Sequence, residues 1–265
     1  MKLITIFSGK GGVGKTTMSI LLASWLKYEK GERVIAYDFE SPESRMMNRR
    51  NQDLDLLKNG APTLSRFVGE NTDFYPMGAI KAKETGYSMQ DLQNIATNIR
   101  KAKQTGEGYI ICDFPGRFIN KEAVFTLVQE NLVDLIVFPL QPEQQSITSM
   151  FVVNKFLREP GFIKNGGDQK ILCFWNMVSR NDRRGNQDVC SGYENILTSM
   201  NIPISTTRIN YVDSVKRPPT YQSMVTTTVC YPRLNMLKAF PPLDGQNKPY
   251  IENLFEEIKS LVDVI

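Results

Sequence analysis

The chain has 265 residues, of which 41% are hydrophobic and 23% are charged, and its formal net charge at pH 7 is +4. These values are ordinary for one globular domain, and because no run of about 18 apolar residues occurs, we expect no stable membrane insertion. The absence of histidine removes the commonest general base, and the scattered cysteines predict neither a zinc site nor a disulfide framework: Cys112, Cys173, Cys190 and Cys230. Catalysis would therefore depend on carboxylates, lysine and bound metal.

Short apolar runs alternate with segments of helical length, which predicts βαβ units and a parallel sheet. Strands are expected at residues 3–7, 33–38, 109–113, 135–139, 171–176 and 202–206. Helices are expected at residues 16–28, 88–104, 120–131, 143–158, 188–200 and 249–263, with two weaker candidates at 42–58 and 63–70. The predicted fold is one α/β domain over residues 1–265, an open, mostly parallel twisted sheet with helices on both faces. Ligands of such sheets bind at the carboxyl ends of the strands.

A glycine-rich loop follows the first predicted strand and has the sequence Gly-Lys-Gly-Gly-Val-Gly-Lys-Thr over residues 9–16. Glycines let several backbone N–H groups approach an anion, and the helix that follows directs its positive end at the same point. Lys15 is placed to reach the β- and γ-phosphates, and Thr16 offers its hydroxyl to Mg²⁺. This pattern predicts a P-loop NTPase with three αβα layers, whose nucleotide contacts come from Gly9, Lys10, Gly11, Gly12, Val13, Gly14, Lys15, Thr16 and Thr17.

Residues 10–17 resemble the deviant Walker A box of the ParA/MinD superfamily, in which the additional lysine corresponds to Lys10. In that family this lysine reaches the phosphates bound by the partner subunit, so the resemblance implies a catalytic Lys10, an ATP-dependent homodimer, and ATP with Mg²⁺ as cofactors. The resemblance extends over residues 1 to about 220 and is strongest in the first 45. It is closest to the ParA-like ATPases of DNA partitioning and conjugative transfer.

The second predicted strand ends in Asp38, where ParA-like proteins have an Asp that positions the attacking water. The resemblance therefore implies that Asp38 is catalytic together with Lys15, and it is also a second candidate for the metal. The family continues Asp-x-Asp-Pro-Gln, whereas this chain has Asp-Phe-Glu-Ser-Pro-Glu over residues 38–43, so hydrolysis is expected to be slow. The alternative interpretation of Asp38 is a strand-end helix cap.

Two further strands end in residues suited to the site. Residues 109–113 form an apolar run before an acid, as in a Walker B strand, which predicts that Asp113 holds Mg²⁺ with Thr16. Gly116 follows and has the flexibility of a phosphate-sensing switch. The strand 171–176 ends in Asn176, and resemblance to ParA-like proteins implies that its amide contacts adenine. The alternative is an ordinary turn residue.

The expected function is a Mg²⁺-dependent ATPase that forms an ATP-sandwich dimer, responds to a protein activator or cargo adaptor, and acts in DNA partitioning or conjugative transfer. One alternative is a nucleotide-gated interaction or positioning protein with little turnover and no DNA binding, and another is a small-molecule kinase. Non-specific DNA binding needs clustered cations, although each cluster could equally be a solvated surface. The clusters are Arg45, Arg49 and Arg50; Arg100, Lys101 and Lys103; Arg180, Arg183 and Arg184; Lys216 and Arg217.

The N-terminus has neither the apolar core nor the cleavage site of a signal peptide, so a cytoplasmic location is expected. The last predicted helix has an apolar stripe, and its opposite face is mainly acidic. An acidic face would be repelled by anionic lipid, so we expect this helix to pack against the sheet instead.

Overall fold

The computed structural model describes residues 1–39, 45–48, 51, 55, 77–80, 87–116, 121–159, 170–178, 185–210 and 250–264. Within these residues the strands are β1 (Lys2–Ile6), β2 (Val34–Asp38), β3 (Met77–Ala79), β4 (Tyr109–Asp113), β5 (Leu135–Leu140) and β6 (Ile171–Trp175). The main helices are α1 (Lys15–Ser24), α2 (Met89–Gln104), α3 (Lys121–Gln129), α4 (Gln144–Leu157), α5 (Gly185–Ser199) and α6 (Ile251–Asp263). Among the described residues, no helix is both long enough and apolar enough to cross a bilayer.

The strands form one parallel sheet in the order β3-β2-β4-β1-β5-β6, which confirms the predicted fold class. The chain leaves β1 for the β2 side of the sheet and later returns to build the β5 side. The order therefore reverses beside β1, and a ligand crevice is expected outside the carboxyl end of that strand. Pairing brings Ile6 and Asp38 level with Asp113, so three strands end together at this point.

Helices cover both faces of the sheet because alternate strand residues point to opposite sides. Leu3 belongs to the hydrophobic cluster that α2, α3, α4 and α5 cover, whereas Ile4 and Ile6 belong to the cluster beneath α1 and α6. The rings of Trp25 and Phe255 lie 5.6 Å apart between the two helical segments of that second layer. The predicted packing of the last helix against the sheet is therefore confirmed.

The structure departs from the predicted elements in three places. The short strand β3 was not predicted, because its sequence Met-Gly-Ala has little strand character. Residues 202–206 were predicted as a strand, but only Ile204 forms a parallel bridge, to Cys173. The first helix changes after Ser24 into a wider π-helical turn, Trp25–Glu29. Within the weaker helix candidate 42–58, residues 45–48, 51 and 55 are helical, and the candidate 63–70 lies outside the described residues.

Candidate nucleotide-binding site

The loop between β1 and α1 is built by glycines in the left-handed region. Gly12 has φ of +77° and Gly14 has φ of +86°, values that side chains rarely permit. Gly14 is the residue before the first turn of α1, and Met18 N donates to Gly14 O at 2.9 Å. The loop therefore leads directly into a helix whose N-terminal N–H groups point outward at the carboxyl edge of the sheet, which is the arrangement that binds phosphate.

Lys15 is buried at the start of α1, with only 6% of its surface exposed. Its Nζ donates to the carbonyl oxygen of Lys10 at 2.9 Å, so the ammonium group lies across the mouth of the loop. Gly116 packs against the same groups: a Cβ atom there would lie 2.7 Å from both Gly11 Cα and Lys10 O and would overlap Lys15 Nζ. The segment after β4 thus lies directly on the loop.

Lys10 extends toward the loop between β5 and α4. Its Nζ donates to Gln141 Oε1 at 2.8 Å and forms an ion pair with the carboxylate of Glu143. Gln141 N donates to Ser146 Oγ at 3.0 Å, which fixes the backbone on which Gln141 stands. The structure therefore holds Lys10 against the β5–α4 loop of the same chain through two side chains.

The predicted acids lie side by side at the ends of adjacent strands. Asp38 and Asp113 are paired in register at the ends of β2 and β4, and both are fully buried. Asp113 Oδ1 accepts a hydrogen bond from Ser19 Oγ at 3.0 Å, and Asp38 Oδ2 accepts one from Met47 N at 2.9 Å. The two carboxylates, together with the Thr16 hydroxyl at the start of α1, offer oxygen donors, which are the ligands that Mg²⁺ prefers.

Tyr87 contacts the backbone that follows β2 and β3, close to Asp38. Its hydroxyl donates to the carbonyl oxygens of Ile80 and Phe39, at 3.2 Å and 3.4 Å. Burial raises the pKa of Tyr87, and the carboxylates of Asp38 and Asp91 raise it further. The phenol, which is neutral at physiological pH, acts here as a hydrogen-bond donor.

Asn176 lies against the loop at the end of β6 and is 5% exposed. Its Nδ2 donates to the carbonyl oxygen of Val13 at 2.7 Å, and its Oδ1 accepts from Met177 N at 3.0 Å. The fold therefore brings Asn176, Lys15, Asp38 and Asp113 to one edge of the sheet. The contact to adenine that the resemblance implies remains a prediction.

Sequence reasoning missed two residues that contact the predicted site. Ser19 follows Lys15 by four positions and so occupies the same face of α1, a spacing that could have identified it. The second residue is Gln141, which directly follows β5. Its side chain bonds Lys10 and also donates to Met177 Sδ at 2.9 Å, so it links two loops of the site. No local pattern in the sequence distinguishes that role.

The basic clusters are partly engaged with acids. Arg100 contacts Glu130 at 3.0 Å and Lys103 contacts Asp134 at 2.5 Å, so two of the three cations in the α2 cluster take part in ion pairs. Arg45 is exposed, whereas Arg49, Arg50, Arg180, Arg183, Arg184, Lys216 and Arg217 lie outside the described residues.

Across the parts of the chain that the structure covers, no group of three or more His, Cys, Asp or Glu side chains could hold a metal ion.

Comparison with known proteins identifies the same kind of domain. The model of the CobQ/CobB/MinD/ParA nucleotide binding domain matches residues 4–165, which is more than half of the chain. An uncharacterized ATP-binding protein of Methanocaldococcus jannaschii is 28% identical over 151 residues, 55% of this chain and 55% of the relative. The chain thus spans about half the length of this curated relative.

Solved structures of similar fold include proteins of cell division and plasmid partition. The MinC:MinD cell division protein complex of Aquifex aeolicus aligns with TM-score 0.60 and 17% identity, covering 98% of this chain and 96% of that chain. The pNOB8 ParA bound to nonspecific DNA aligns with TM-score 0.50 and 17% identity, covering 99% and 95%. At these identities the likeness concerns the fold alone.

Proposed function

The chain belongs to the CobQ/CobB/MinD/ParA nucleotide-binding family, and we propose that it is a Mg²⁺-dependent ATPase that forms an ATP-sandwich homodimer and acts in DNA partitioning or conjugative DNA transfer. The observation that carries the proposal is the convergence of the glycine loop, buried Lys15 and the paired acids Asp38 and Asp113 at one edge of the sheet. The loop and lysine suit a triphosphate, and the acids suit the metal that accompanies it.

Each part of the site has a proposed role. Backbone N–H groups of residues 9–17 bind the phosphates, and Lys15 neutralises charge that develops on them during transfer to water. Thr16 and Asp113 would hold Mg²⁺, with Asp38 as a second candidate, and the ion would neutralise phosphate oxygens. Asp38 would orient the attacking water, and Asn176 would contact the adenine base, as the family resemblance implies.

The homodimer gives Lys10 its proposed catalytic role. To reach phosphates on a partner subunit, Lys10 would exchange its contacts with Gln141 and Glu143 for contacts across the interface. A surface cavity of about 520 Å³ adjoins it, lined by Gly9 and Lys10 and by α4 residues Gln144, Gln145, Thr148, Ser149 and Val152. Val152 is 38% exposed, so this face presents apolar surface that a second subunit would cover.

The proposed partners are non-specific DNA and a protein activator or cargo adaptor. The net charge of +4 favours phosphate contacts, and one protein of the same fold is described as bound to nonspecific DNA. The ion pairs of Arg100 and Lys103 reduce the charge that α2 presents, so the DNA surface would depend on the other clusters. The resemblance of residues 10–17 to ParA-like ATPases implies DNA partitioning or conjugative transfer as the process served.

A second candidate is a nucleotide-gated interaction protein with little turnover and no DNA binding. The observation that favours it is the hydrogen bond from Met47 N to Asp38, since an acid that caps a helical segment is partly committed to structure. The departure from Asp-x-Asp-Pro-Gln after Asp38 points the same way. Both candidates share nucleotide binding and dimerisation and differ in hydrolysis.

The test is ATP hydrolysis with and without non-specific duplex DNA, alongside ATP-dependent dimerisation by light scattering. Lys15→Ala should lower turnover about 100-fold or more, because it removes a cation at the transferring phosphoryl group. Asp38→Ala should abolish turnover while nucleotide binding persists, and Lys170→Ala serves as an exposed lysine control at the other edge of the sheet. Turnover raised by DNA supports the ATPase, whereas binding and dimerisation without turnover supports the second candidate.

A further inference from the structure

The amide of Asn176 is oriented by two backbone groups of opposite character. Val13 O can only accept a hydrogen bond and Met177 N can only donate one, so Nδ2 must face Val13 and Oδ1 must face Met177. The side chain is 5% exposed, and both partners are backbone atoms whose positions the fold sets. The amide is therefore a fixed bridge between β6 and the glycine loop.

On the loop side, this bridge meets the turn that starts α1. The side chain of Val13 is fully buried, and Gly14 adopts φ of +86° immediately after it. A Cβ atom at Gly14 would lie 2.6 Å from Asn176 Nδ2, so the amide rests directly on this backbone. The same peptide groups carry the N–H donors that converge on a phosphate, so a displacement of Val13 O would also displace them.

On the β6 side, the chain holds an unusual conformation to complete the bridge. Met177 has φ of +58°, which is uncommon for a residue other than glycine. Asn176 N donates to Leu140 O at 2.7 Å, and Val178 N donates to Ile209 O at 3.0 Å, so the backbone is fixed on both sides of Met177. Strained residues held in this way cluster at functional sites.

We infer that Asn176 is a positioning residue of the phosphate-binding loop, which holds the Val13–Gly14 turn in place for a triphosphate of any base. The inference rests on the proposed function, since it presumes that this loop binds nucleoside triphosphates. The family resemblance implies that Asn176 contacts adenine. The positioning role is a second role, and it does not depend on the base. The two roles predict different ligand dependence when the amide is removed.

The experiment compares dissociation constants for ATP, GTP and inorganic tripolyphosphate, each with Mg²⁺, in the wild type, Asn176→Ala and Asn176→Asp. Removing the donor leaves the buried Val13 carbonyl without that hydrogen bond, and we expect all three constants to rise by about tenfold or more in Asn176→Ala. Asn176→Asp should be at least as impaired, because it places a carboxylate oxygen against Val13 O. The matched control is Asn154→Ala, which removes an equally buried amide of α4 that accepts from Arg158 Nε at 2.9 Å.

The three ligands separate the possible outcomes. An equal loss for ATP, GTP and tripolyphosphate, with Asn154→Ala unchanged, supports the positioning role. A loss confined to ATP, with tripolyphosphate binding intact, would show that Asn176 contacts only the base and would overturn the inference, as would unchanged binding of all three. If the wild type binds none of the ligands, it is the proposed function that fails.

A measurement on the wild type covers the case in which the variants do not fold. In ¹⁵N-labelled protein, the side-chain NH₂ resonances of Asn176 should shift when tripolyphosphate binds, because the loop that holds Val13 O responds to the phosphates. Adenosine alone should leave them in place. The reverse pattern would contradict the positioning role.

Discussion

The two edges of the parallel sheet hold their charged groups in different ways. At the amino edge, Lys103 contacts Asp134 at 2.5 Å, and Lys259 contacts Asp263 at 2.6 Å, so cations and acids neutralise each other. At the carboxyl edge, Asp113 accepts a hydrogen bond from Ser19 and Asp38 accepts one from Met47 N. Neutral donors are thus among the groups that orient the site acids.

This difference separates stability from function. An acid paired with an ammonium group stabilises the fold through its charge, whereas a hydroxyl or N–H donor orients an acid without cancelling its charge. At the carboxyl edge, the donors Ser19 and Met47 N help to orient the acids, whereas the amino edge ties the first strand and the last helix to the sheet. Changes at the amino edge should lower the free energy of unfolding, and changes at the carboxyl edge should lower ligand affinity more than stability.

The largest effects are expected at one glycine of each edge. In Gly116→Ala the new methyl group would lie 2.7 Å from Gly11 Cα and Lys10 O, so the loop must move and ATP binding should fall about 100-fold or more. In Gly108→Ala the methyl group would overlap the carbonyl oxygen of Arg33 at a φ of +116°, which should cost about 2–4 kcal/mol of stability. ATP titration measures the affinity of both variants, and urea unfolding measures their stability.

Gly192→Ala provides the control for both substitutions, since a methyl group there meets no atom within 4 Å on helix α5. It should leave ATP affinity unchanged and stability equal or slightly higher. If Gly108→Ala lost ATP affinity in the folded fraction as severely as Gly116→Ala, the division between the two edges would be wrong.

At the amino edge, Asp134→Ala should cost about 2–3 kcal/mol of stability. The carboxylate accepts from Leu3 N at 2.6 Å and from Lys103 Nζ at 2.5 Å, and its removal takes a partner from each donor. Urea unfolding checks the value. ATP affinity should remain within about twofold of the wild type, and a larger loss would contradict an exclusively structural role for this edge.

Much of this architecture follows from local sequence, but some contacts do not. The loop and the acids Asp38 and Asp113 lie where apolar runs end, so strand-loop periodicity alone locates them. The bond from Asn176 to Val13 depends on how far β6 lies from the loop across β5, which local sequence does not encode. Strand β3 is short and contains glycine, so only pairing with β2 identifies it.

At the carboxyl edge, Ser19→Ala should affect Mg²⁺ more than stability. Loss of the bond to Asp113 should cost about 1 kcal/mol of stability and remove one of the contacts that orient the carboxylate. We expect the Mg²⁺ concentration needed for half-maximal ATP binding to rise about tenfold. Ser24→Ala, at the other end of α1 and equally buried, is the matched control. An equal effect of both substitutions on the Mg²⁺ requirement would show that Ser19 only packs.

The smallest expected effect is a pH dependence at the amino edge. Tyr109 hydrogen-bonds Asp263, and burial, with a smaller contribution from this bond, raises the pKa of Tyr109 from its ordinary value of 10 to about 12. A raised pKa contributes stability that is fully present below pH 10 and is lost as pH rises from 10 toward 12, because the unfolded chain releases the proton first. Tyr109→Phe should cost about 1 kcal/mol at pH 8 and flatten this alkaline decline, with ATP affinity unchanged. Urea unfolding of the wild type and of Tyr109→Phe between pH 8 and pH 11, within the range that both proteins tolerate, measures how the free energy of unfolding changes with pH. An equal decline in both proteins would show that Tyr109 does not cause it.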